Sequence, residues 1–303
     1  MLTSSLLLLA AQAVPIDETA RARAIGAPQS WPVAIQRDLV TLGRVEWQMR
    51  RSAVDRCPKT AAAAGIVIDY AGAYNEGDRP LVRQETGLGN LPQIIAVAPG
   101  SPADMAGIRA GDEITALDGK TTREFLTAAS DPALLADEIQ DRISARKPSS
   151  EITFSIVRND RQLAVPIRLA AVCSARFILK ADDTISAHSD GEHVAVTTGI
   201  MAFAKGDDEL ALITGHELAH VIADGGRRTG LFGRRKIEDR ADLLGAEIAR
   251  CAGFDVPRAV DFWTRFRKHD WLGFLRGPSH RSAGGREKRL RAVAPRLNCP
   301  GKS

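Results

Sequence analysis

Apolar residues recur roughly three and four apart between Trp31 and Arg56, at Ile35, Leu39, Leu42, Val45, Trp47 and Met49. That spacing gathers them on one face of a helix, which should end near Cys57-Pro58. Gly65 to Tyr70 is a short β-rich run before a loop rich in glycine, asparagine and aspartate, so it reads as a strand. A second strand is expected at Gln93 to Ala98, and a helical stripe at Leu134, Leu135, Ile139 and Ile143. Two strictly alternating strands follow, Ile152/Phe154/Ile156 and Leu163/Val165/Ile167/Leu169, with Asn159-Asp160 as the turn between them. Arg176 to Lys180 and His193 to Gly199 are also strand-like. The period then changes. Asp207 to Ala223 predicts a helix with an acidic first turn and a stop at Gly225-Gly226, and Ile237 to Cys251 a second that stops at Gly253. A third should begin near Pro257.

At 303 residues, 44% hydrophobic and 26% charged, the chain has an ordinary globular composition and enough length for two modest cores. Its formal charge of +4 comes largely from the last third, at Arg227, Arg228, Arg234, Arg235 and Lys236 and again from Arg276 to Arg296. These positions lack interleaved aromatics and any nucleic-acid-binding motif, so they read as a solvated surface and no nucleic-acid partner is expected. The apolar run from Leu6 closes on Ala11-Gln12-Ala13, the pattern of a signal peptide cleaved before Val14. Export is therefore expected. No later stretch stays apolar for the ~18 residues that a membrane span needs, so no transmembrane segment is expected in the mature chain. The four cysteines, Cys57, Cys173, Cys251 and Cys299, form no Cys-x-x-Cys pair. An even number in an exported chain points to two disulfides.

Between Thr86 and Ala170 the elements carry Pro99-Gly100-Ser101-Pro102-Ala103 and then Ala106-Gly107-Ile108-Arg109-Ala110-Gly111-Asp112. In this order and with these turns the segment resembles a PDZ domain of the HtrA protease type. The resemblance implies peptide binding: N–H groups of Gly87, Leu88, Gly89 and Asn90 would cradle a terminal carboxylate, and the edge of the Gln93 to Val97 strand would pair with an extended peptide. Asn90 stands where an apolar residue is more usual.

The pentapeptide His216-Glu217-Leu218-Ala219-His220 falls on the Asp207 to Ala223 helix. Residues four apart share a helix face, so both imidazoles can reach one ion, with Glu217 beside the open coordination position. A catalytic zinc takes three protein ligands and a water. The next helix opens with Glu238-Asp239-Arg240-Ala241-Asp242, which sets Glu238 and Asp242 on one face. Small residues at Ala241, Gly245 and Ala249 would let that face approach the histidine helix. Glu238 is then the natural third ligand. Asp242 is either an acceptor for a ligand imidazole or a surface carboxylate.

A strand, Thr197-Thr198-Gly199, Asp207-Asp208-Glu209-Leu210-Ala211, the pentapeptide and Glu238-x-x-Ala241-Asp242 follow one another in that order. Over Phe177 to Arg289 this is similar to the HtpX and BepA family of gluzincin peptidases, related to the CAAX prenyl proteases. The resemblance implies a zinc endopeptidase with one zinc per chain and Glu238 as ligand. It also implies that Val194 to Thr198 is the edge strand on which a substrate pairs. The family has a late serine/threonine-histidine-proline motif near the metal, and here Pro278-Ser279-His280 is followed by Arg281. That leaves open whether His280 is a transition-state donor, a fourth ligand conferring latency or a surface histidine. His188, His193 and His269 have no comparable company and read as ordinary histidines.

The expected architecture is α+β: a zincin-type metallopeptidase domain, mostly helical with a small sheet, carrying an inserted β-rich PDZ domain. The boundaries are a signal peptide at 1–13, the N-terminal helix and first peptidase strand at 14–84, the PDZ domain at 85–170 and the catalytic domain at 171–303. Insertion is expected because Gly65 to Tyr70 and Arg176 to Lys180, on either side, are both strand-like. Cys57 and Cys173 would then lie close enough to bridge, leaving Cys251 to Cys299. The expected function is hydrolysis of unfolded or misassembled envelope proteins in the periplasm of a Gram-negative bacterium, with the PDZ domain recognising exposed C-termini. The rival is a PDZ-led chaperone or adaptor retaining a structural zincin domain. Glu217, which a pseudoenzyme would not need, argues against it.

Overall fold

The first helix, α1 (Trp31–Ser52), divides its apolar surface between two parts of the molecule. Leu42, Val45 and Met49 enter the larger hydrophobic core, while Trp47 packs with Ala61, Ala98 and Val172. The computed structural model describes residues 30–129, 131–223, 231–269 and 282–299.

After α1 come β1 (Thr60–Ala63), β2 (Ile66–Asp69), α2 (Arg79–Thr86), β3 (Gln93–Val97), α3 (Pro102–Met105) and β4 (Glu113–Leu117). Then follow β5 (Lys120–Thr121), α4 (Thr122–Ala128), α5 (Leu135–Ser144), β6 (Glu151–Arg158), β7 (Arg161–Arg168) and β8 (Ala170–Cys173). Six of these strands form one sheet in the order β2-β3-β4-β6-β7, with β5 on β4. The alternation read in β6 has a physical target: Ile152, Phe154 and Ile156 share a core with Leu135, Ile139 and Ile143 of α5. Asn159 and Asp160 take positive φ of 49° and 59°, as a tight hairpin turn between right-twisted strands demands.

Two expectations change here. The Gly65 to Tyr70 run was expected in the peptidase sheet, but β2 pairs antiparallel with β3, with Ile66 opposite Val97. Its alternate residues explain why, since Ile66 and Ile68 bury in the same core as Ile94 and Ile114. Val67 faces the other way, onto α1 at Gly43, where an added Cβ would stand 2.2 Å from Val67 Cγ2. With β2 on one side and β4 on the other, β3 is an interior strand, not the free edge expected for a peptide.

β1 and β8 pair antiparallel from Thr60 opposite Cys173 to Ala63 opposite Ala170. Disulfides join Cys57 to Cys173 and Cys251 to Cys299, with Cα separations of 5.4 and 5.2 Å, as expected from the sequence.

The remaining elements are β9 (Arg176–Lys180), β10 (Ala187–Ser189), β11 (His193–Thr197), α6 (Thr198–Phe203), α7 (Asp207–Ala223), α8 (Leu231–Ala252), α9 (Val256–Ala259), α10 (Asp261–His269) and α11 (Ala283–Val293). The sheet order is β10-β11-β9, so β11 is central, antiparallel to β10 and parallel to β9. Val194 to Thr198 is therefore not the edge strand expected; β10 and β9 are the edges. Thr197 fixes this by receiving Ser186: its backbone N–H donates to Ser186 O at 3.2 Å and its hydroxyl accepts from Ser186 N–H at 3.2 Å.

Helices α7 and α8 cross at two glycines. A Cβ on Gly245 would lie 2.4 Å from Gly215 C and 2.5 Å from Gly215 O, which are backbone atoms with no room to yield. We expect Gly245→Ala to destabilise the protein by roughly 1–3 kcal/mol, the usual penalty for overpacking, measured as a shift in denaturant midpoint. An unchanged midpoint would show that the crossing tolerates a methyl group.

Candidate metal centre

The first turn of α7 carries Asp207, Asp208 and Glu209, where unsatisfied N–H groups favour negative charge. Each acid is also tied down. Asp207 accepts from Arg44 Nε and Nη2 at 2.8 and 2.9 Å, Asp208 accepts Asp255 N–H at 2.9 Å, and Glu209 accepts Lys205 N–H at 2.8 Å. Beyond that turn the helix is buried on most of its surface, from Leu210 to His216 and again at Leu218, Ala219 and Val221. A polar side chain in such a helix must find partners or a ligand.

His216 is 7% exposed. Its Nε2 lies 3.2 Å from His220 Nε2 and 3.3 Å from Glu238 Oε2, and His220 Nε2 lies 3.5 Å from the same oxygen. Three donor atoms at the corners of a triangle of this size fit one small ion. Tetrahedral ligands ~2.0–2.1 Å from a zinc stand ~3.3 Å from each other. Glu238 comes from α8, and the Gly215/Gly245 crossing lets the two helices approach closely enough to bring it there.

The other ring nitrogen of His216, Nδ1, lies 2.9 Å from Asp242 Oδ1. A carboxylate only accepts, so this partner keeps the hydrogen on Nδ1 and leaves the Nε2 lone pair toward His220 and Glu238. Arg286 Nη2 approaches both His216 Nδ1 (2.8 Å) and Asp242 Oδ1. With a hydrogen on Nδ1, its bond goes to the carboxylate. Arg286 Nε also donates to both Asp242 oxygens at 3.0 Å, and the guanidinium lies 3.8 Å above the Trp263 ring. Burial disfavours the charge on Asp242, but Arg286 and His216 outweigh it and hold the carboxyl below the usual carboxylate range. Glu217, half-buried, accepts a hydrogen bond from Ser189 Oγ at 3.1 Å, so β10 borders the centre.

Of the residues expected from the sequence, the structure brings His216, Glu217, His220, Glu238 and Asp242 to one place. Arg286, Ser189 and Trp263 were missed. Arg286 was hidden among arginines read as solvated surface, yet it is 9% exposed, and its neighbour Arg289 pairs with Asp239 at 3.0 Å. Ser189 carried no signal, since a serine on a short strand is unremarkable until its neighbour is known. His280 lies outside the described residues. His193 is an ordinary surface residue, 3.1 Å from Asp190, and His188 is exposed on β10.

The four residues named for a terminal carboxylate follow directly on α2. Gly87 caps α2 at φ 73°, and the side chain of Leu88 is buried with Ala71 and Val82. Gly89 O accepts Ala71 N–H at 3.0 Å, and Asn90 accepts from Arg83.

Comparison with known proteins matches two segments of the chain separately. Residues 174–231 match the family model of peptidase family M48, and residues 93–132 that of a PDZ domain. The chain is 29% identical over 106 residues to the serine endoprotease DegS of Escherichia coli (strain K12), covering 34% of this chain and 27% of DegS. It is 33% identical over 73 residues to the periplasmic pH-dependent serine endoprotease DegQ of the same organism, covering 24% of this chain and 14% of DegQ. The chain thus spans well under half the length of either relative. Among solved structures, the HtrA-type protease AlgW with decapeptide matches at 18% identity and a TM-score of 0.28, over 37% of this chain and 30% of that one. Among the described residues no helix is long and apolar enough to cross a membrane. The chain therefore carries an M48 peptidase segment in residues 174–231 together with a PDZ domain segment in residues 93–132.

Proposed function

We propose that the protein is a zinc endopeptidase, with His216, His220 and Glu238 as the metal ligands and Glu217 as the general base. The observation that carries this reading is the triangle of His216 Nε2, His220 Nε2 and Glu238 Oε2, 3.2 to 3.5 Å on a side. Zinc bound there would act as a Lewis acid that makes a water acidic enough to attack a peptide carbonyl near neutral pH. Glu217 accepts the proton from that water and returns it to the leaving amine. Ser189 holds the Glu217 carboxylate in place, and Asp242, clamped by Arg286, orients His216. An extended substrate pairs on the outer strand β10, the strand that carries Ser189.

The six-stranded unit is read as a PDZ module inserted in the peptidase. Support comes from the β1–β8 pairing, which brings the chain's entry to that unit and its exit together, with Cys57 and Cys173 bridged alongside. A polypeptide would add to this sheet at β2, one of its two outer strands, displacing the bond that Gln140 Nε2 donates to Ile66 O at 2.9 Å. The substrates are taken to be unfolded or misassembled envelope proteins with exposed C-termini. Two disulfides and the name of the periplasmic relative DegQ support export to that compartment.

Elemental analysis tests the centre. The full chain should carry one equivalent of zinc and Glu238→Ala almost none. If Glu238→Ala still holds one equivalent, the third ligand must be sought at Asp242 or His280.

A further inference from the structure

The six-stranded unit and the metal-binding unit meet at a cavity of about 210 Å³. Arg44, Glu46 and Arg50 of α1 line it, with Ile66 of β2, Ser144 of α5 and Arg176 of β9. Three guanidinium groups therefore border it against one carboxylate. Arg44 is engaged by Asp207, and Arg176 donates to Asp137 and Asp141 at 2.8 and 2.6 Å. None of these three aspartates is among the lining residues.

Arg50 differs from the other two. It is 7% exposed, and its Nε donates to Cys173 O and its Nη1 to Glu46, both at 2.8 Å. Its Nη2 is buried and has no hydrogen-bond partner. Burial works against the Arg50 charge, Glu46 supports it, and the neighbouring Arg176 charge adds to the burden. A buried, charged N–H without an acceptor is costly, and such an orphan beside a cavity marks a place for an acceptor. The cavity is far larger than the ~10–15 Å³ that one water needs, so it has room for a group of several heavy atoms. Glu46 does not fill this need, being held already by Arg50 Nη1 and by Phe177 N–H at 3.2 Å.

We propose that this cavity binds a single oxyanion group, phosphate or carboxylate, at its Arg50 wall. The group comes either from a free anion or from the C-terminus of a polypeptide lying along the β2 side of the cavity. The site sits on the helix that also touches the metal-binding helix, since Met49 Cε stands within 2.9 Å of where a Cβ on Gly215 would be. The inference does not depend on the peptidase reading.

Thermal unfolding of the full chain carrying Glu217→Gln, which leaves peptide probes intact, tests it at constant ionic strength set by chloride. The probes are inorganic phosphate, a short peptide with a free C-terminus and the same peptide amidated. A saturable rise in midpoint with phosphate identifies the free anion, and a rise with the acid but not the amide identifies a chain terminus. Arg50→Met should abolish whichever response is seen. Should that variant fail to fold, Ser144→Glu, which supplies a carboxylate from the cavity wall, should raise the midpoint without ligand and abolish the response. No response to any probe, or an undiminished one in either variant, overturns the proposal.

Discussion

Glu217→Gln should keep its zinc and its fold while losing ~10²-fold or more of peptidase activity, the usual contribution of a positioned general base. The substitution keeps the side chain's shape and removes its capacity to take a proton. The ligand triangle does not include Glu217, so metal content should be unchanged. The bond from Ser189 Oγ, 3.1 Å in the wild type, can be remade to the amide oxygen, so the substitution should not disturb β10 either. Casein cleavage in single-turnover form and zinc analysis on the same sample are the two readouts. Near-full activity with zinc retained would take Glu217 out of the mechanism. Loss of zinc along with activity would instead make Glu217 part of the metal site. Activity present in the wild type and lost in this variant would also decide against the chaperone alternative, because a binding protein has no activity to lose.

Why the sequence revealed this centre so well, and the sheets less well, is a matter of distance along the chain. His216, Glu217 and His220 lie on one helix, where the 3.6-residue period fixes their relative directions. Glu238 and Asp242 were readable because they too are four apart and the small residue Gly245 follows on the same helix. The matching glycine, Gly215, precedes the motif and carries no signal of its own, although its backbone is what Gly245 meets. Strand partners carry no such local code. The β-rich run at Gly65 to Tyr70 was correctly a strand, but alternation says only that one face is buried, not which sheet buries it. The same limit applies to β11, whose central place depends on residues Ala187–Ser189 folding back beside it. Arg286 shows the third kind of blindness. An arginine among arginines looks solvated until the structure reveals an aspartate and a tryptophan on either side of it.

The largest expected loss of stability follows from removing the Cys57–Cys173 bridge. It closes a loop with a sequence separation of 116, and cross-linking a loop of that length stabilises a fold by ~4–5 kcal/mol on the chain-entropy account. The Cys251–Cys299 bridge, with a separation of 48, should contribute ~4 kcal/mol on the same account. Location should widen the gap between them. Cys173 is wholly buried at the end of β8, in the same core as Leu42, Val45 and Met49 of α1. Arg50, also on α1, donates to the Cys173 carbonyl, so the bridge and that bond fasten one helix at the same point. The other bridge joins Cys251 and Cys299, both only half-buried, where local opening can absorb the change. We therefore expect Cys57→Ala with Cys173→Ala to lower the denaturant midpoint more than Cys251→Ala with Cys299→Ala, and to loosen α1 from both units. Hydrogen exchange across Trp31–Ser52 reads the second effect, since a helix released from its bridge should exchange faster than in the protein lacking only the Cys251–Cys299 bond. Equal midpoints for the two double variants, or free thiols at Cys57 and Cys173 in exported protein, would show that α1 is held by its packing alone.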